Sequence, residues 1–367
     1  MAEYNLVSPC SFGLEKTLCY EIRRAGGKDE TPTDGRVEYK GDERVIASMN
    51  LSSSVAERVG VVIGKFKAET FDDVYNNLLK ADCSFIPRDG KFPIVKGQSV
   101  KSKLTSVPAL QRTVKKALAN NLTAFHGTDL PETGAEFPVR FFLFKDVITV
   151  LADASGIMLH KRGYRAESGQ APLKETLAAG IADLAHLRSG DIVVDPFCGS
   201  GTILIEAALK LRRMPPGFNR RFSSEFWGDR FESAYSEAKA ELSQDVIKTN
   251  EVFCYGYDID ADSLRVARQN AEKAGVASNI VFSKRSIADF VPPTEKFKVV
   301  TNPPYGERMG EEAEAAELTR LTGEVLSGYE AHIISSVSNF ELYYGKKAVR
   351  NRKLYNGMIM CRLYSMM

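Results

Sequence analysis

From residue 166 onward the chain alternates short apolar runs with segments of helical period. This alternation narrows the fold more than any other feature. Runs at 191–195, 252–257, 279–283, 297–301 and 331–336 read as buried strands. Between and around them, 173–187, 201–212, 229–247, 261–274 and 313–327 carry helical spacing. The pattern predicts an α/β domain, a mostly parallel sheet with helices on both faces. The end departs from it. Lys353-Leu-Tyr, then Asn356-Gly357, then 358–364 read as a hairpin, because Asn-Gly suits a type I′ turn. The sheet is expected to close with an antiparallel edge.

The first 165 residues read as two smaller α/β units. In residues 1–65, Leu14, Leu18 and Ile22 share one helix face, which Gly26-Gly27 ends. Asp34-Gly35 is a turn into a strand at 36–40, a helix is expected over 44–51, and 58–66 is a Val/Ile-rich strand. With one strand added at the N-terminus, this is half of a split βαβ-type module. Residues 66–165 carry a helix at 71–79, a strand at 91–95 and a helix at 110–122. Pro108 belongs in that helix's first turn, with Thr105 or Ser106 as cap. Runs 137–144 and 147–153 alternate around Lys145-Asp146 as a hairpin.

Composition excludes several classes. The 367 residues are 44% hydrophobic and 26% charged, so a packed core is expected. A net charge of +2 leaves nucleic-acid binding to local patches. Six scattered cysteines without a CxxC pair argue against a zinc site and a disulfide framework, and point to reducing cytosol. Neither a signal peptide nor a membrane-length apolar stretch is visible, so a cytoplasmic protein without metal is expected.

Two loops carry the chemistry. The first is Asp195-Pro-Phe-Cys-Gly-Ser-Gly-Thr202, a tight turn from strand to helix. Ligands bind at the carboxyl ends of strands in such sheets, and Gly199 and Gly201 let one approach the backbone. GxGxxG is absent, and Thr202 is followed by Ile203 where a phosphate loop needs lysine. An acid here repels pyrophosphate. Asp195 suits the ammonium of a methionine moiety, directly or through water. The next strand ends in Asp258-Ile259-Asp260; Asp258 suits a ribose, and Asp260 suits a helix cap. Asp289 suits an adenine amino group, with Ile287 or Ile259 packing on the rings. Together these predict S-adenosylmethionine as cofactor. Cys198 reads as a small packing residue, not a nucleophile.

The second loop is Asn302-Pro303-Pro304-Tyr305. Two prolines remove two backbone donors and leave carbonyls pointing outward. Asn302 Oδ1 and the Pro303 carbonyl suit the two protons of an exocyclic amine. They would aim its lone pair at a sulfonium methyl, with neither metal nor strong base. Tyr305 would stack on a flipped base. As a partner-binding motif Pro-Pro-Tyr fits poorly here, because it follows a strand inside an α/β pattern.

These motifs resemble the class I S-adenosylmethionine-dependent amino-methyltransferases over all of 166–367. Leu159-His-Lys-Arg-Gly-Tyr-Arg165, Ala171-Pro-Leu-Lys-Glu-Thr-Leu-Ala178 and Lys353-Leu-Tyr-Asn-Gly357 narrow the resemblance to the THUMP-domain RNA guanine-N2 methyltransferases. The likeness is to the methyltransferase part of the bacterial 23S rRNA enzymes in a stand-alone form. It implies a ferredoxin-like domain at 1–65, a THUMP domain at 66–165 and a Rossmann-like catalytic domain at 166–367 with a seven-stranded sheet. It also implies cofactor contacts at Thr176, Leu177, Ala178, Asp195, Phe197, Gly199, Gly201, Asp258, Ile259, Ile287, Asp289 and Asn302. Asn302, Pro303, Pro304 and Tyr305 would form the amine site.

The same tetrapeptide occurs in DNA adenine-N6 methylases, so it recognises an amine and not a base. The small N-terminal modules, with no DNA-reading helix-turn-helix, favour RNA. Lys91, Lys96, Lys101, Lys103, Arg112, Lys115 and Lys116 suggest a phosphate-binding face, with Arg162 and Arg165 beside it. Lys346, Lys347, Arg350, Arg352 and Lys353 form a second basic stretch. A 23S rRNA guanosine is the expected target. The alternatives are a tRNA guanosine, a DNA adenine, or a catalytically silent RNA-binding assembly factor.

Overall fold

The computed structural model describes residues 3–165, 173–304 and 312–367. Two seven-stranded sheets organise the chain. The first half runs β1 (Tyr4–Pro9), α1 (Glu15–Arg24), β2 (Lys28–Thr33), β3 (Arg36–Gly41), α2 (Glu43–Ser52), β4 (Gly60–Lys67), α3 (Phe71–Leu78), β5 (Ile94–Val100), α4 (Val107–His126), β6 (Val139–Phe144) and β7 (Val147–Asp153). The second runs α5 (Glu175–Leu184), β8 (Val193–Asp195), α6 (Thr202–Leu211), α7 (Asp229–Gln244), β9 (Cys254–Asp258), α8 (Ala261–Ala274), β10 (Ile280–Lys284), β11 (Lys298–Thr301), α9 (Glu312–Leu326), β12 (Ala331–Ser335), α10 (Phe340–Tyr344), β13 (Arg350–Asn356) and β14 (Ile359–Met366).

The second sheet has the order β10-β9-β8-β11-β12-β14-β13. Its first five strands are parallel, and β14 is antiparallel to both β12 and β13. The expected α/β class and antiparallel edge are thus present. The chain reverses direction across the sheet between β8 and β11, the place where such sheets bind ligands. Ile203, Leu204 and Ile205 of α6 are all buried, each contributing about 1.5–3 kcal/mol from apolar burial.

The N-terminal sheet corrects one expectation. Its order is β2-β3-β1-β4-β7-β6-β5, and the proposed boundary at 65/66 falls inside β4. β4 pairs with β1 on one side and β7 on the other, so both small units share one continuous sheet. A local pattern cannot report this, because the pairing of Gly60 with Asp153 spans more than ninety residues. Ser106 caps α4 with Pro108 in its first turn, and Lys145 and Asp146 both take positive φ in their hairpin turn. At the C-terminal hairpin, Asn356 pairs with Ile359, so the turn residues are Gly357 and Met358. Only Gly357 has positive φ, the pattern of a type II′ turn in place of the expected type I′.

The halves dock closely. Phe137 stacks on Trp227 with ring centroids 4.6 Å apart, and Trp227 Nε1 donates to the Glu136 carbonyl. Asn50 Nδ2 donates to the Tyr235 hydroxyl at 2.7 Å. Arg352 Nη1 donates to the Gly13 carbonyl at 2.8 Å, tying β13 to the loop before α1. One hydrophobic core runs through both halves.

Candidate active site

Three acids stand at the carboxyl ends of the neighbouring strands β8, β9 and β10. Asp195 ends β8 and is buried. The Thr301 hydroxyl donates to its Oδ1 at 2.5 Å, and the Phe197 N–H donates to the same atom at 3.0 Å. Burial is the main reason its carboxyl is pushed up to about 7, with Asp258 adding repulsion.

Asp258 ends β9. The Gly199 N–H donates to its Oδ2 at 2.8 Å, and the Asp260 N–H donates to its Oδ1 at 2.9 Å. Asp260 caps α8 through the Asp262 and Ser263 amides, as its place in the sequence suggested. Asp289 follows β10 and is exposed. Ile259 is 68% exposed whereas Ile287 is buried in the core, so Ile259 has the free apolar surface of the two.

The glycine loop fits an adenosyl cofactor. Gly199 takes φ +49°, and a Cβ built on it would meet no atom within 4 Å, so its backbone is open to a ligand. Gly201 takes φ +80°, and a Cβ there would meet Ala267 and Phe282 at 3.1 Å. That glycine is needed for the turn and for packing. Asn270 Nδ2 donates to the Ser200 carbonyl at 3.0 Å and fixes the loop from α8. Burial holds the Cys198 thiol well above its usual range, in keeping with a packing role.

Asn302 and Pro303 follow β11, next to β8. Asn302 Oδ1 is buried and has no hydrogen-bond partner. Pro303 is buried and Pro304 exposed. Tyr305 lies outside the described residues.

Other predicted residues sit differently. Thr176, Leu177 and Ala178 in α5 are fully buried, and the Thr176 hydroxyl donates to Glu57 Oε1 at 2.9 Å. Their side chains are packed inside the fold. Arg162 is a correction. Its side chain is 3% exposed, donates to the Leu159 and Ser54 carbonyls, and lies 3.5 Å from Glu206. Arg165 is another, donating to Glu175 and the Leu173 carbonyl at 3.0 Å. Both arginines tie this segment into the fold, Arg162 through Ser54 and Glu206 and Arg165 through Glu175, while Arg162 Nε and Arg165 Nη1 donate no hydrogen bond. Arg162 has almost no side-chain surface to offer an RNA.

Arg112, Lys115 and Lys116 do come together, lining a concavity of about 490 Å³ between α4 and the edge strand β5. Lys115 is shared with Glu132 and Phe92. Lys96 is exposed on β5, and the Lys91 backbone forms an isolated β-bridge with Glu136. Lys103 pairs with Glu69, and Lys101 lies in the turn after β5, at the far end of that strand. The seven basic residues therefore form a cluster of three and scattered others.

Sequence reasoning missed Thr301, Asn270 and Glu57. Each acts across 70 or more residues of chain, and no local spacing marks it. Among the described residues no group of acidic, histidine or cysteine side chains forms a metal site, and no helix is long and apolar enough to cross a membrane.

Comparison with known proteins converges on the same chemistry. YpsC of Bacillus subtilis (strain 168), provisionally named an RNA methyltransferase, is 39% identical over 99% of this chain and 96% of its own length. The crystal structure of SMU.472, a provisional methyltransferase complexed with S-adenosylhomocysteine, matches with a TM-score of 0.94 at 34% identity, covering 100% of this chain and 98% of that one. A Listeria monocytogenes structure, named by prediction an N6-adenine-specific DNA methylase, matches with a TM-score of 0.92 at 39% identity, covering 100% and 97%. Residues 5–60 match the RlmL ferredoxin-like domain. Residues 162–365 match the RMKL-like methyltransferase domain, and the chain belongs to this family of S-adenosylmethionine-dependent methyltransferases.

Proposed function

We propose that the chain methylates the exocyclic N2 of a guanosine in RNA, most simply in 23S rRNA. The observation that carries this is the buried, unpaired Asn302 Oδ1 at the end of β11. An unsatisfied buried acceptor costs about 1–3 kcal/mol, and an exocyclic amine is the donor that would satisfy it. Pro303 and Pro304 bring no N–H to compete.

The bound cofactor would supply an electrophilic methyl. Asp195 would face its ammonium, Asp258 its ribose, and Asp289 and Ile259 its adenine. Asn302 Oδ1 and the Pro303 carbonyl would accept the two amine protons and turn the nitrogen lone pair toward the methyl. The amine would give up one proton to water as the new N–C bond forms and the methyl–sulfur bond breaks, the thioether being the leaving group. Tyr305 would stack on the flipped base.

RNA as substrate rests on the name carried by the Bacillus relative and on the N-terminal unit. Residues 66–165, read as a THUMP module, present Arg112, Lys115 and Lys116 around one concavity, a setting for phosphate contacts. The test is to delete the gene and quantify modified nucleosides. Loss of N2-methylguanosine from 23S rRNA is the expected result. Loss from tRNA alone would move the target. Loss of N6-methyladenine from DNA, with N2-methylguanosine intact, would reject the reading.

A further inference from the structure

The C-terminal hairpin projects over the active-site edge of the sheet. β12 ends at Ser335, which pairs with Arg362 of β14. Everything from Cys361 back to the turn therefore overhangs the carboxyl ends of the parallel strands. Met358 lies four residues beyond Arg362, about 13 Å at the rise of a strand. β14 stands two strand positions from β11, about 10 Å across the sheet from the strand that delivers Asn302. The tip thus stands roughly 16 Å from the strand end that delivers Asn302.

The tip's composition is unusual for a solvated edge. Met358 is 98% exposed and Met360 46% exposed. Strand alternation places Met360 and Arg362 on one face, and Met358 stands in the turn beside them. Tyr355 lies opposite Met360, and Lys353 opposite Arg362, so they share that face. Lys353 Nζ sits 5.2 Å from the Tyr355 ring centroid. Phe12, from the N-terminal half, stands edge-on to the same ring at 5.8 Å and is 37% exposed. Lys347 and Arg350 are exposed toward the other end of the hairpin. Apolar and aromatic surface interleaved with cations complements bases and phosphates together. The two-residue turn on a continuous ladder from Arg350 to Asn356 holds the tip rigidly.

We propose that this hairpin is a wedge. Met358 enters the RNA base stack beside the target nucleotide and occupies the space the flipped base leaves. Tyr355 and Phe12 receive a neighbouring base, while Lys353 and Arg362 hold the intervening phosphate. Flipping costs unstacking energy, and an apolar side chain in the gap offsets part of it. A target that is already unpaired and unstacked needs no wedge. This inference rests on RNA being the substrate.

The test compares Met358→Ala, Met358→Leu and Met358→Asp with wild type. One substrate is structured RNA from cells lacking the gene; the other is a short unpaired oligonucleotide carrying the same target. Met358→Ala should lower kcat/KM about tenfold on structured RNA and less than about twofold on the oligonucleotide. Met358→Leu should restore activity, Met358→Asp should lose more, and cofactor titrations should match wild type. Equal activity of Met358→Ala and wild type on structured RNA would overturn the wedge, as would equal losses on both substrates. A changed oligomeric state with unchanged kinetics would assign the tip to a second copy and also overturn it. Wild-type inactivity on every RNA would instead sink the substrate reading, and the wedge with it.

Discussion

Two neighbouring strand ends in this protein are built on opposite principles. At β8 and β9 the polar groups are closed on one another. Asp195 accepts from Thr301 and Phe197, and Asp258 accepts from Gly199 and Asp260. At β11, Asn302 Oδ1 is buried with nothing donating to it. The first arrangement keeps a loop in shape whether or not a ligand arrives. The second leaves an acceptor whose partner has to come from outside. On the proposed function, the contrast is that of a preorganised cofactor cradle beside a site that substrate completes.

The sharpest way to break the contrast is Asn302→Ala. It should cut single-turnover methylation about 10²–10³-fold or more while leaving cofactor binding within about twofold. Calorimetry beside the rate assay checks both halves. Normal turnover would remove the amine site.

Asp258→Ala should do the reverse on binding. Losing the ribose acceptor and the Gly199 tie should weaken cofactor binding by about 1.5–3 kcal/mol, roughly 10–100-fold. Titration of the purified variant reads this directly.

Asp195 gives the cradle a pH signature. Its native carboxyl keeps its proton to about 7, against 3.8 for an unperturbed one. Between those values the native state binds more proton than the unfolded chain. Its contribution to stability is therefore full below about 3.8 and is lost as pH rises through 7. A cationic ammonium favours the carboxylate, so cofactor affinity should move oppositely, roughly tenfold weaker at pH 6 than at pH 8. Binding should release protons, and Asp195→Asn should flatten both trends. Affinity that rises toward acid would contradict this assignment.

Gly201→Ala tests the rigidity of the cradle. Positive φ and the contact with Phe282 should cost about 2 kcal/mol and lower Tm by several degrees. The smallest effect should come from the N-terminal concavity. Arg112→Ala or Lys116→Ala should weaken RNA binding modestly and reduce the salt slope by about one each, without touching cofactor affinity.

The shape of the loop after β8 was largely legible in the sequence, because it is local. Asp195 through Thr202 is one strand-turn-helix, Asp258 was separated from its capping neighbour Asp260, and the alternation fixed the sheet. What escaped was the choice of distant partners. Arg162 and Arg165 read as free cations in the chain, yet Glu206 and Glu175 claim them inside the fold. Two modules read as separate because the β4–β7 pairing that fuses them joins residues far apart. The hairpin at 350–366 was visible, but its turn sits one residue later than Asn-Gly suggested, since cross-strand register, not dipeptide preference, decided it.

The central claim is that Asn302 receives a guanosine N2 amine. Its most direct test incubates the purified protein with S-adenosylmethionine and RNA from cells lacking the gene, then measures methylated nucleosides by mass spectrometry. The account predicts N2-methylguanosine with wild type and none with Asn302→Ala. A product of N6-methyladenosine, or equal product from both proteins, would contradict it.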